Sequence, residues 1–364
     1  MRTIYVELPQ GGYPIHIGSG LFNQLPSFID DLGWKGRGRL MVVSDSIVSP
    51  LYQERVVRFL EEAGYTVSSV TFSAGEHSKS AATLEKLTGE CIQAGLDRKG
   101  AILALGGGVT GDLAGFLAAS YMRGLPYIQL PTTLLAHDSS VGGKVGINHP
   151  LGKNMIGAFH QPSLVVFDTD TLTSLPRREV ISGFAEVIKH ALIYDESFAR
   201  WLLDHHAPLN DLHPEYIAEA IAKGCQVKAD VVAKDEREQG LRAILNYGHT
   251  IGHALEALSN YTYTHGEAIA IGMVGESLLG EKLGTARNVL GYTKELLQAF
   301  SLPTTFTGPW TDESLLETMR RDKKARGGSL TFVLPKGIGK VLIQHDVEEE
   351  AVLDVLQELR GGVV

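Results

Sequence analysis

The sequence has little cysteine, no long apolar run and no excess of positive charge. Its two cysteines, Cys91 and Cys225, are far apart and form no CxxC motif or disulfide framework, so we expect reduced thiols in the core. No apolar stretch reaches the roughly 18–20 residues that cross a bilayer, and no basic segment followed by an apolar one resembles a secretory signal. These features predict a cytoplasmic protein without a membrane partner.

Positive charge is the scarcer kind, since 33 lysines and arginines are outnumbered by 42 aspartates and glutamates, for a formal net charge of −9. This balance argues against nucleic acid as a partner, and an anionic substrate would need basic residues concentrated in one cleft. The composition, 44% hydrophobic and 21% charged over 364 residues, is typical of a folded protein of two domains.

Apolar runs alternate with amphipathic stretches in the first half of the chain, which is typical of a parallel α/β sheet. The predicted strands are 39–44, 66–72, 100–105, 127–130 and 164–167, and helices are predicted at 51–63 and 81–94. After Pro176 the predicted helices are 177–194, 214–232, 243–258, 266–283, 312–321 and 347–359, with one hairpin at 330–335 and 340–344. We expect an α/β domain over 1–176, a mainly α-helical domain over 177–364, and an active site in the cleft between them.

A glycine-rich loop, Gly106-x-Gly108-x-x-Gly111, follows the predicted strand that ends at Leu105. Glycines in this position let the backbone approach a pyrophosphate, which the amides at a helix start can bind. The usual acidic residue about 20 positions later is missing, and Asp45, after an earlier strand, is an alternative partner for a ribose. Spacing alone leaves dinucleotide binding and a tight βα turn as equal alternatives.

Two glycine-rich segments, 138–144 and 150–154, carry Lys144, Lys153 and Asn154. They have neither helical nor strand periodicity, so we interpret them as loops that present ammonium and amide groups to a phosphate or carboxylate. A solvated surface loop is the alternative. Arg123, just before a predicted strand, is a further candidate cation.

Carboxylates and histidines recur along the helices predicted after Pro176. On helix 177–194, a polar face carries Glu186, Lys189 and His190, which form either a salt bridge or a site. A carboxylate beside a lysine on a half-buried face is compatible with both.

Four polar residues lie on one helical stripe that starts just before the predicted helix 243–258, at successive i+4, i+3 and i+4 steps: Arg242, Asn246, His249 and His253. The next helix begins with His265 and Glu267. Three histidines and a glutamate suit a zinc site with one open position, but spacing does not decide between His249 with His253 and His249 with a residue of another helix. Glycines at 248 and 252 indicate a close helix approach.

Taken together, the motifs resemble those of the 3-dehydroquinate synthase family of sugar phosphate cyclases. The blocks that carry the resemblance are GGGVTGD at 106–112, PTTLL at 131–135, SSVGGK at 139–144, PLGKNMIGAF at 150–159, FAEVIK at 184–189 and NYGHTIGH at 246–253. The resemblance implies a homodimeric lyase of the shikimate pathway, hence of chorismate and aromatic amino acid biosynthesis, with an NAD-binding first domain and a metal-binding second one.

The implied reaction converts 3-deoxy-D-arabino-heptulosonate 7-phosphate into 3-dehydroquinate and phosphate. It uses NAD with zinc or cobalt, and proceeds by transient oxidation, β-elimination of phosphate, reduction and an intramolecular aldol closure. Another sugar phosphate cyclase, or a metal-dependent polyol dehydrogenase, is the alternative; a nucleotide-binding regulator with a dead site is disfavoured because the candidate ligands remain.

The resemblance also implies roles for individual residues. The implied metal ligands are Glu186, His249 and His265. The implied substrate contacts are Lys144, Lys153, Asn154, Lys189, Lys228, Arg242, Asn246, His253, Arg123 from a neighbouring subunit, and Lys324 in preference to Lys323. The implied cofactor-side positions are Asp45, Glu76, Lys79, Gly107, Gly108, Asp112, Thr132, Thr133, Asp138, Lys144, Lys153, Ser174, which replaces a common threonine, and Glu179.

Overall fold

The computed structural model describes residues 1–9, 11–260, 262–324 and 330–361. The chain divides into two compact units: the first comprises Met1–Leu175 and Ile217–Arg237, and the second comprises Pro176–Tyr216 and Glu238–Val364. The predicted boundary after residue 176 would instead place segment 217–237 in the second domain. Its grouping with the first unit follows from contacts such as the hydrogen bond from the Cys225 thiol to the His137 carbonyl, 3.4 Å long.

A seven-stranded sheet with the order β1-β2-β9-β6-β5-β3-β4 forms the centre of the first unit. Its strands are β1 Arg2–Val6, β2 Tyr13–Gly18, β3 Leu40–Asp45, β4 Val67–Phe72, β5 Ala101–Gly106, β6 Tyr127–Pro131 and β9 Leu164–Asp168, and the separate strands β7 Lys144–His149 and β8 Gly152–Phe159 pair with each other. Apart from the antiparallel β1–β2 pair, all pairings in the large sheet are parallel. The predicted parallel sheet is confirmed.

Strand β5 shows why the central strands are continuous apolar runs. Its side chains are all buried, with Ala101, Leu103 and Leu105 in one hydrophobic cluster and Ile102 and Ala104 in another. Alternate residues of a strand point to opposite faces, so both faces of this sheet are covered. The helices that share these clusters are α1 Leu25–Asp31, α2 Glu54–Glu62, α3 Ala81–Gln93 and α4 Gly108–Ser120. Two further helices are α5 Ala136–Ser139 and α9 Pro214–Lys234.

The second unit is mainly helical, as predicted. Its helices are α6 Arg177–Tyr194, α7 Glu196–Asp204, α8 His206–Asn210, α10 His249–Leu258, α11 His265–Lys282, α12 Val289–Ala299, α13 Asp312–Lys324 and α14 Glu349–Leu359. The predicted hairpin is also present, as β10 Phe332–Gly337 and β11 Lys340–Gln344. Among the described residues, no helix is long and apolar enough to span a membrane.

The predicted continuous helix 243–258 is wrong. A 3₁₀ helix, Leu241–Asn246, ends before Gly248, which has a φ of +80° and is followed by α10. The buried carboxylate of Glu276 accepts hydrogen bonds from the amides of Gly248 (2.8 Å) and Thr250 (3.3 Å) and so caps the start of α10. Arg242 and Asn246 therefore do not share a helix face with the histidines of α10.

The interpretation of 138–144 and 150–154 as loops is only partly correct, because Lys144 begins β7, residues 152–154 begin β8, and the two strands form an antiparallel hairpin. Gly146 pairs directly with Gly157. A Cβ on Gly146 would lie 2.6 Å from the carbonyl oxygen of Ile156, so the strands approach closely only without a side chain there. These glycines hid the strand pattern in the sequence.

Candidate active site

The glycine loop connects β5 directly to α4. Gly106 ends the strand and Gly108 begins the helix, so Gly107 alone lies between them. A Cβ on Gly107 would lie 2.9 Å from Thr133 Cγ2, and one on Gly108 would lie 3.3 Å from Ser139 Oγ. Because the first amides of a helix have no acceptor within it, this crowded, side-chain-free turn fits the pyrophosphate of a dinucleotide.

Asp45 lies beside the same loop. It ends β3, which neighbours β5 in the sheet, and Thr110 Oγ1 in the loop-to-helix turn donates to Asp45 Oδ2 at 3.2 Å. The other carboxylate oxygen accepts from the amides of Ile47 and Val48, at 2.9 and 3.0 Å. The alternative acidic partner for a ribose is therefore adjacent to the glycines, at the carboxyl ends of neighbouring parallel strands.

Lys79 is the buried centre of a polar cluster in the first unit. Its ammonium, 4% exposed, donates to Asp112 Oδ2 at 2.7 Å and to Asn154 Oδ1 at 2.5 Å, and lies 3.5 Å from Glu76 Oε1. Burial raises the pKa of Asp112, and the charge of Lys79 opposes that rise. The structure thus joins three predicted cofactor-side residues to a predicted substrate contact.

Asn148 belongs to this cluster and was missed by sequence reasoning. Its Nδ2 donates to Glu76 Oε1 at 2.9 Å, and its Oδ1 accepts from the amide of Asn154 at 2.8 Å. Asn154 has a φ of +57°, and Lys153 Nζ beside it lies 4.0 Å from Glu76 Oε1. A single asparagine in a strand has no spacing signal, so only the hairpin pairing shows its position.

Lys228 is placed against Asp138. The ammonium of Lys228 on α9 donates to the Asp138 carbonyl at 2.6 Å and lies 2.9 Å from Asp138 Oδ2. Lys228 is 7% exposed, which makes this an ion pair of low solvent access. The structure therefore brings together one residue predicted on the substrate side and one on the cofactor side.

A metal-ligand group lies in the second unit, where Glu186 of α6, His249 of α10 and His265 of α11 each offer a ligand atom within 4.8 Å of the others. Glu186 Oε1 lies 3.6 Å from Nε2 of His249 and 3.4 Å from Nε2 of His265. Of the alternatives that spacing left open, the geometry favours His249 with residues of other helices. Two imidazoles and one carboxylate are a common ligand set of catalytic zinc, with a coordination position left for substrate.

Glycines allow these three helices to approach one another. A Cβ on Gly252 of α10 would lie 2.9 Å from the carbonyl oxygen of Ala268 on α11. A Cβ on Gly266 would overlap the Ser182 carbonyl on α6, and one on Gly272 would overlap the Gly248 carbonyl. The predicted close approach at 248 and 252 is confirmed, and Gly266 adds the contact that sets His265 beside α6.

The predicted polar face of α6 is buried, which corrects the half-polar pattern inferred from the sequence. Glu186 is 1%, Lys189 2% and His190 0% exposed, and the Lys189 ammonium forms an ion pair with Glu186. Beyond its exposed first turn the helix is buried from Ser182 to Ile193, and α11, α12 and β11 pack against it. A buried carboxylate and ammonium of this kind are retained only when they are paired.

The two histidines of this group have opposite shifts in pKa. Burial, then the charge of Lys189, lowers the pKa of His249 well below its usual value. Burial alone would also lower the pKa of His265, but hydrogen bonds to Glu186 and Glu256 outweigh it and raise the pKa to about 9. The lowered pKa of His249 favours the neutral imidazole, which is the form that binds a cation.

Two family models match the chain, described as 3-dehydroquinate synthase N-terminal over residues 69–182 and 3-dehydroquinate synthase C-terminal over residues 183–325. The chain belongs to the 3-dehydroquinate synthase family. It is 46% identical over 359 residues to the 3-dehydroquinate synthase of Symbiobacterium thermophilum, covering 98% of this chain and 100% of that one. It is 48% identical over 361 residues to that of Acidithiobacillus ferrooxidans, covering 98% of each. These matches confirm the predicted family and main function.

Solved structures of related enzymes have the same fold. A 2-deoxy-scyllo-inosose synthase, complexed with carbaglucose-6-phosphate, NAD+ and Co2+, matches with a TM-score of 0.91 at 27% identity, covering 98% of this chain and 100% of that one. The 2-epi-5-epi-valiolone synthase of Streptomyces hygroscopicus, with NAD+ and Zn2+ bound, matches at 0.88 and 27%, covering 97% and 98%. Maleylacetate reductase from Agrobacterium tumefaciens, at 0.64 and 16%, covers 99% and 98% and shares the fold alone.

Other residues implied by the 3-dehydroquinate synthase family are spread over both units. In the first unit, the hydroxyls of Ser174 and Tyr52 are hydrogen-bonded to each other at 2.6 Å. Lys144 at the start of β7 is exposed, and so is Arg123, which has a φ of +71°. Thr132 donates its amide to the Gly106 carbonyl at 3.0 Å.

In the second unit, Glu179 is exposed in the first turn of α6 and His253 is exposed on α10. Arg242 is 2% exposed and Asn246 is half-buried, both on the 3₁₀ helix that precedes His249. The side chains of Lys323 and Lys324 lie outside the described residues.

Proposed function

We propose that this protein is an NAD- and metal-dependent lyase that converts 3-deoxy-D-arabino-heptulosonate 7-phosphate into 3-dehydroquinate and phosphate. The observation that carries the proposal is the group of Glu186, His249 and His265, whose ligand atoms lie within 4.8 Å of one another. These residues would hold zinc or cobalt, and the glycine loop with Asp45 would hold NAD. The cofactors named in the related cyclase structures support both assignments.

When bound, NAD supplies a reversible hydride acceptor and the metal supplies a Lewis acid that stabilises negative charge on a substrate oxygen. We assign Lys189, ion-paired with Glu186, to hold a substrate oxygen rather than to act as a free base. Arg242 is assigned to the substrate carboxylate, since a guanidinium binds carboxylates through two parallel hydrogen bonds.

The remaining cationic and amide side chains are proposed to bind the hydroxyls and phosphate of the substrate. They are Lys144, Lys153, Asn154, Lys228, Asn246, His253 and Lys324, with Arg123 contributed by the partner subunit of a homodimer. The family resemblance also implies that the substrate's own phosphate helps to remove the substrate proton before β-elimination. The small number of separate bases among these side chains supports that role. Phosphate would thus leave from a site whose cationic and amide side chains donate hydrogen bonds to it and stabilise its negative charge.

We also propose a homodimer in a reducing compartment, the cytoplasm. Cys91 and Cys225 are both buried and unbonded to each other, which supports a protein that needs no disulfide. Analytical ultracentrifugation of the purified protein tests the dimer.

A substrate panel tests the proposed reaction. The protein, loaded with NAD and zinc, is incubated with the heptulosonate phosphate, with glucose 6-phosphate and with a seven-carbon ketose phosphate, and both phosphate and the carbocyclic product are measured. We expect phosphate and 3-dehydroquinate from the heptulosonate phosphate alone. Carbocycle formation from either of the others would assign the chain to another sugar phosphate cyclase, and accumulation of NADH with any sugar would favour a polyol dehydrogenase.

A further inference from the structure

Glu256 lies on the same helix as the ligand His249, seven residues further on, and is 7% exposed. Its Oε2 lies 3.2 Å from Nδ1 of His265. The other ring nitrogen of His265, Nε2, lies 3.4 Å from Glu186 Oε1. The imidazole of His265 is therefore held between two carboxylates, one on each nitrogen.

His249 has a similar arrangement with a different acceptor. Its Nδ1 lies 3.0 Å from the carbonyl oxygen of Tyr247, and its Nε2 lies 3.6 Å from Glu186 Oε1. Both histidines thus have Nδ1 bound to an acceptor and Nε2 directed at the same carboxylate. For His249 the acceptor is a neutral backbone carbonyl, whereas for His265 it is an ionisable side chain.

A histidine binds a metal through a nitrogen that carries no proton, and the hydrogen bond made by its other nitrogen decides which one that is. An acceptor on Nδ1 keeps the proton there, leaves Nε2 for the metal and fixes the ring orientation. A carboxylate acceptor also makes the imidazole a stronger ligand than a carbonyl does. Glu256 is placed to do all of this for His265.

We propose that Glu256 is a positioning residue that orients His265 for metal binding through Nδ1 and strengthens it as a ligand. The inference rests on the proposed metal site of Glu186, His249 and His265. One competing geometry is present: His253, Glu256 and His265 also offer ligand atoms within 4.8 Å of one another. In that arrangement Glu256 would itself be a ligand, and the test below separates the two roles.

The affinity for Zn2+ is measured by competition with a chromophoric chelator, on the full chain, for Glu256→Ala, Glu256→Gln and His265→Ala. Glu281→Gln is the matched control, because Glu281 also accepts hydrogen bonds within the second unit, from the amides of Val289 (2.8 Å) and Leu290 (3.1 Å). NAD affinity and circular dichroism report on folding, and the visible spectrum of the Co2+-loaded protein reports on its ligands.

We expect Glu256→Ala to weaken Zn2+ binding about 10- to 100-fold. Glu256→Gln should weaken it less, because an amide oxygen still accepts from Nδ1 but carries no charge, and this variant carries the test if the alanine variant does not fold. His265→Ala should lose more affinity than either, and Glu281→Gln none.

Wild-type Zn2+ affinity in both Glu256 variants would overturn the positioning role. If Glu256→Ala lowers Zn2+ affinity as much as His265→Ala does, and its Co2+ spectrum shows a missing ligand, Glu256 is itself a metal ligand. That result would also overturn the positioning role. Wild-type affinity in His265→Ala would instead contradict the metal site of the proposed function, so the two failures are distinguishable.

Discussion

Glu186 and His265 face each other across the contact between α6 and α11, with Oε1 of the carboxylate 3.4 Å from Nε2 of the imidazole. They are 79 positions apart in the sequence, and the overlap that any side chain at Gly266 would cause with Ser182 shows how closely the helices must pack to bring them together. The proposed ligand set therefore depends on how closely these helices pack as well as on the types of residue that they carry.

Loss of His265 should abolish turnover without abolishing cofactor binding. His265→Ala removes one of three proposed metal ligands, and the Lewis-acid contribution of a metal is several kcal/mol, so we expect turnover to fall by about 1000-fold or more. NAD affinity should be nearly unchanged, because the glycine loop and Asp45 belong to the other unit. Metal analysis, calorimetric NAD titration and steady-state kinetics measure these effects, with the exposed His206→Ala as control. A metal-free His265→Ala protein with normal turnover would show that the ligand assignment is wrong.

A side chain at residue 266 should disturb both the fold and the metal site. Gly266→Ala places a methyl group against the Ser182 backbone, so we expect a loss of about 1–3 kcal/mol in unfolding free energy and weaker Zn2+ binding. Gly291→Ala, on the exposed surface of α12 with no atom near its Cβ, should instead stabilise the protein by up to about 1 kcal/mol. Urea denaturation of the metal-free proteins measures both. Equal stability of the two variants would refute the close-packing account.

The Lys79–Asp112 ion pair should contribute more to the free energy of unfolding than a surface ion pair does. Lys79→Met leaves Asp112 without its 2.7 Å partner, and we expect a loss of about 2 kcal/mol in unfolding free energy together with weaker NAD binding. Asp112→Asn should have a similar effect, and the double variant should lose clearly less than the sum. Additive losses in denaturant titrations would mean that the two side chains are not coupled.

Both cysteines should be unreactive in the native protein at neutral and mildly alkaline pH. Burial raises the pKa of Cys91 to about 11 and that of Cys225 to about 12. Because only the thiolate reacts, about one thousandth of the Cys91 side chains is reactive at a pH three units below its pKa, and the rate should rise as the pH increases towards that value. Titration with a disulfide reagent, before and after unfolding in guanidinium, checks this. Rapid native labelling of either thiol at neutral pH would contradict it.

Much of the fold was predictable where one physical signal dominated locally. The run at 100–105 predicts β5 because a strand buried on both faces is continuously apolar. The edge strand β1 was not predicted, because its buried residues alternate with exposed ones and so form no continuous apolar run of the kind that marks the central strands. The hairpin of β7 and β8 was hidden by glycines that the strand pairing itself requires.

The candidate site was predictable in its residue types and only partly in its geometry. The family motifs identified Glu186, His249 and His265. The prediction that Arg242 and His249 share one helix face was wrong, because Gly248 interrupts the helix between them. Asn148 and Glu256 carry no motif that spacing could reveal. Their positions follow from tertiary contacts, which a single sequence does not show.

The most direct test follows the coenzyme during turnover. The protein is loaded with zinc and given the heptulosonate phosphate in large excess over NAD, while the absorbance of NADH, released phosphate and 3-dehydroquinate are recorded together. Because the hydride is taken up and returned within one cycle, we predict complete conversion to 3-dehydroquinate with no net NADH. A stop after one equivalent of NADH per NAD, or phosphate release that does not require NAD, would contradict the account.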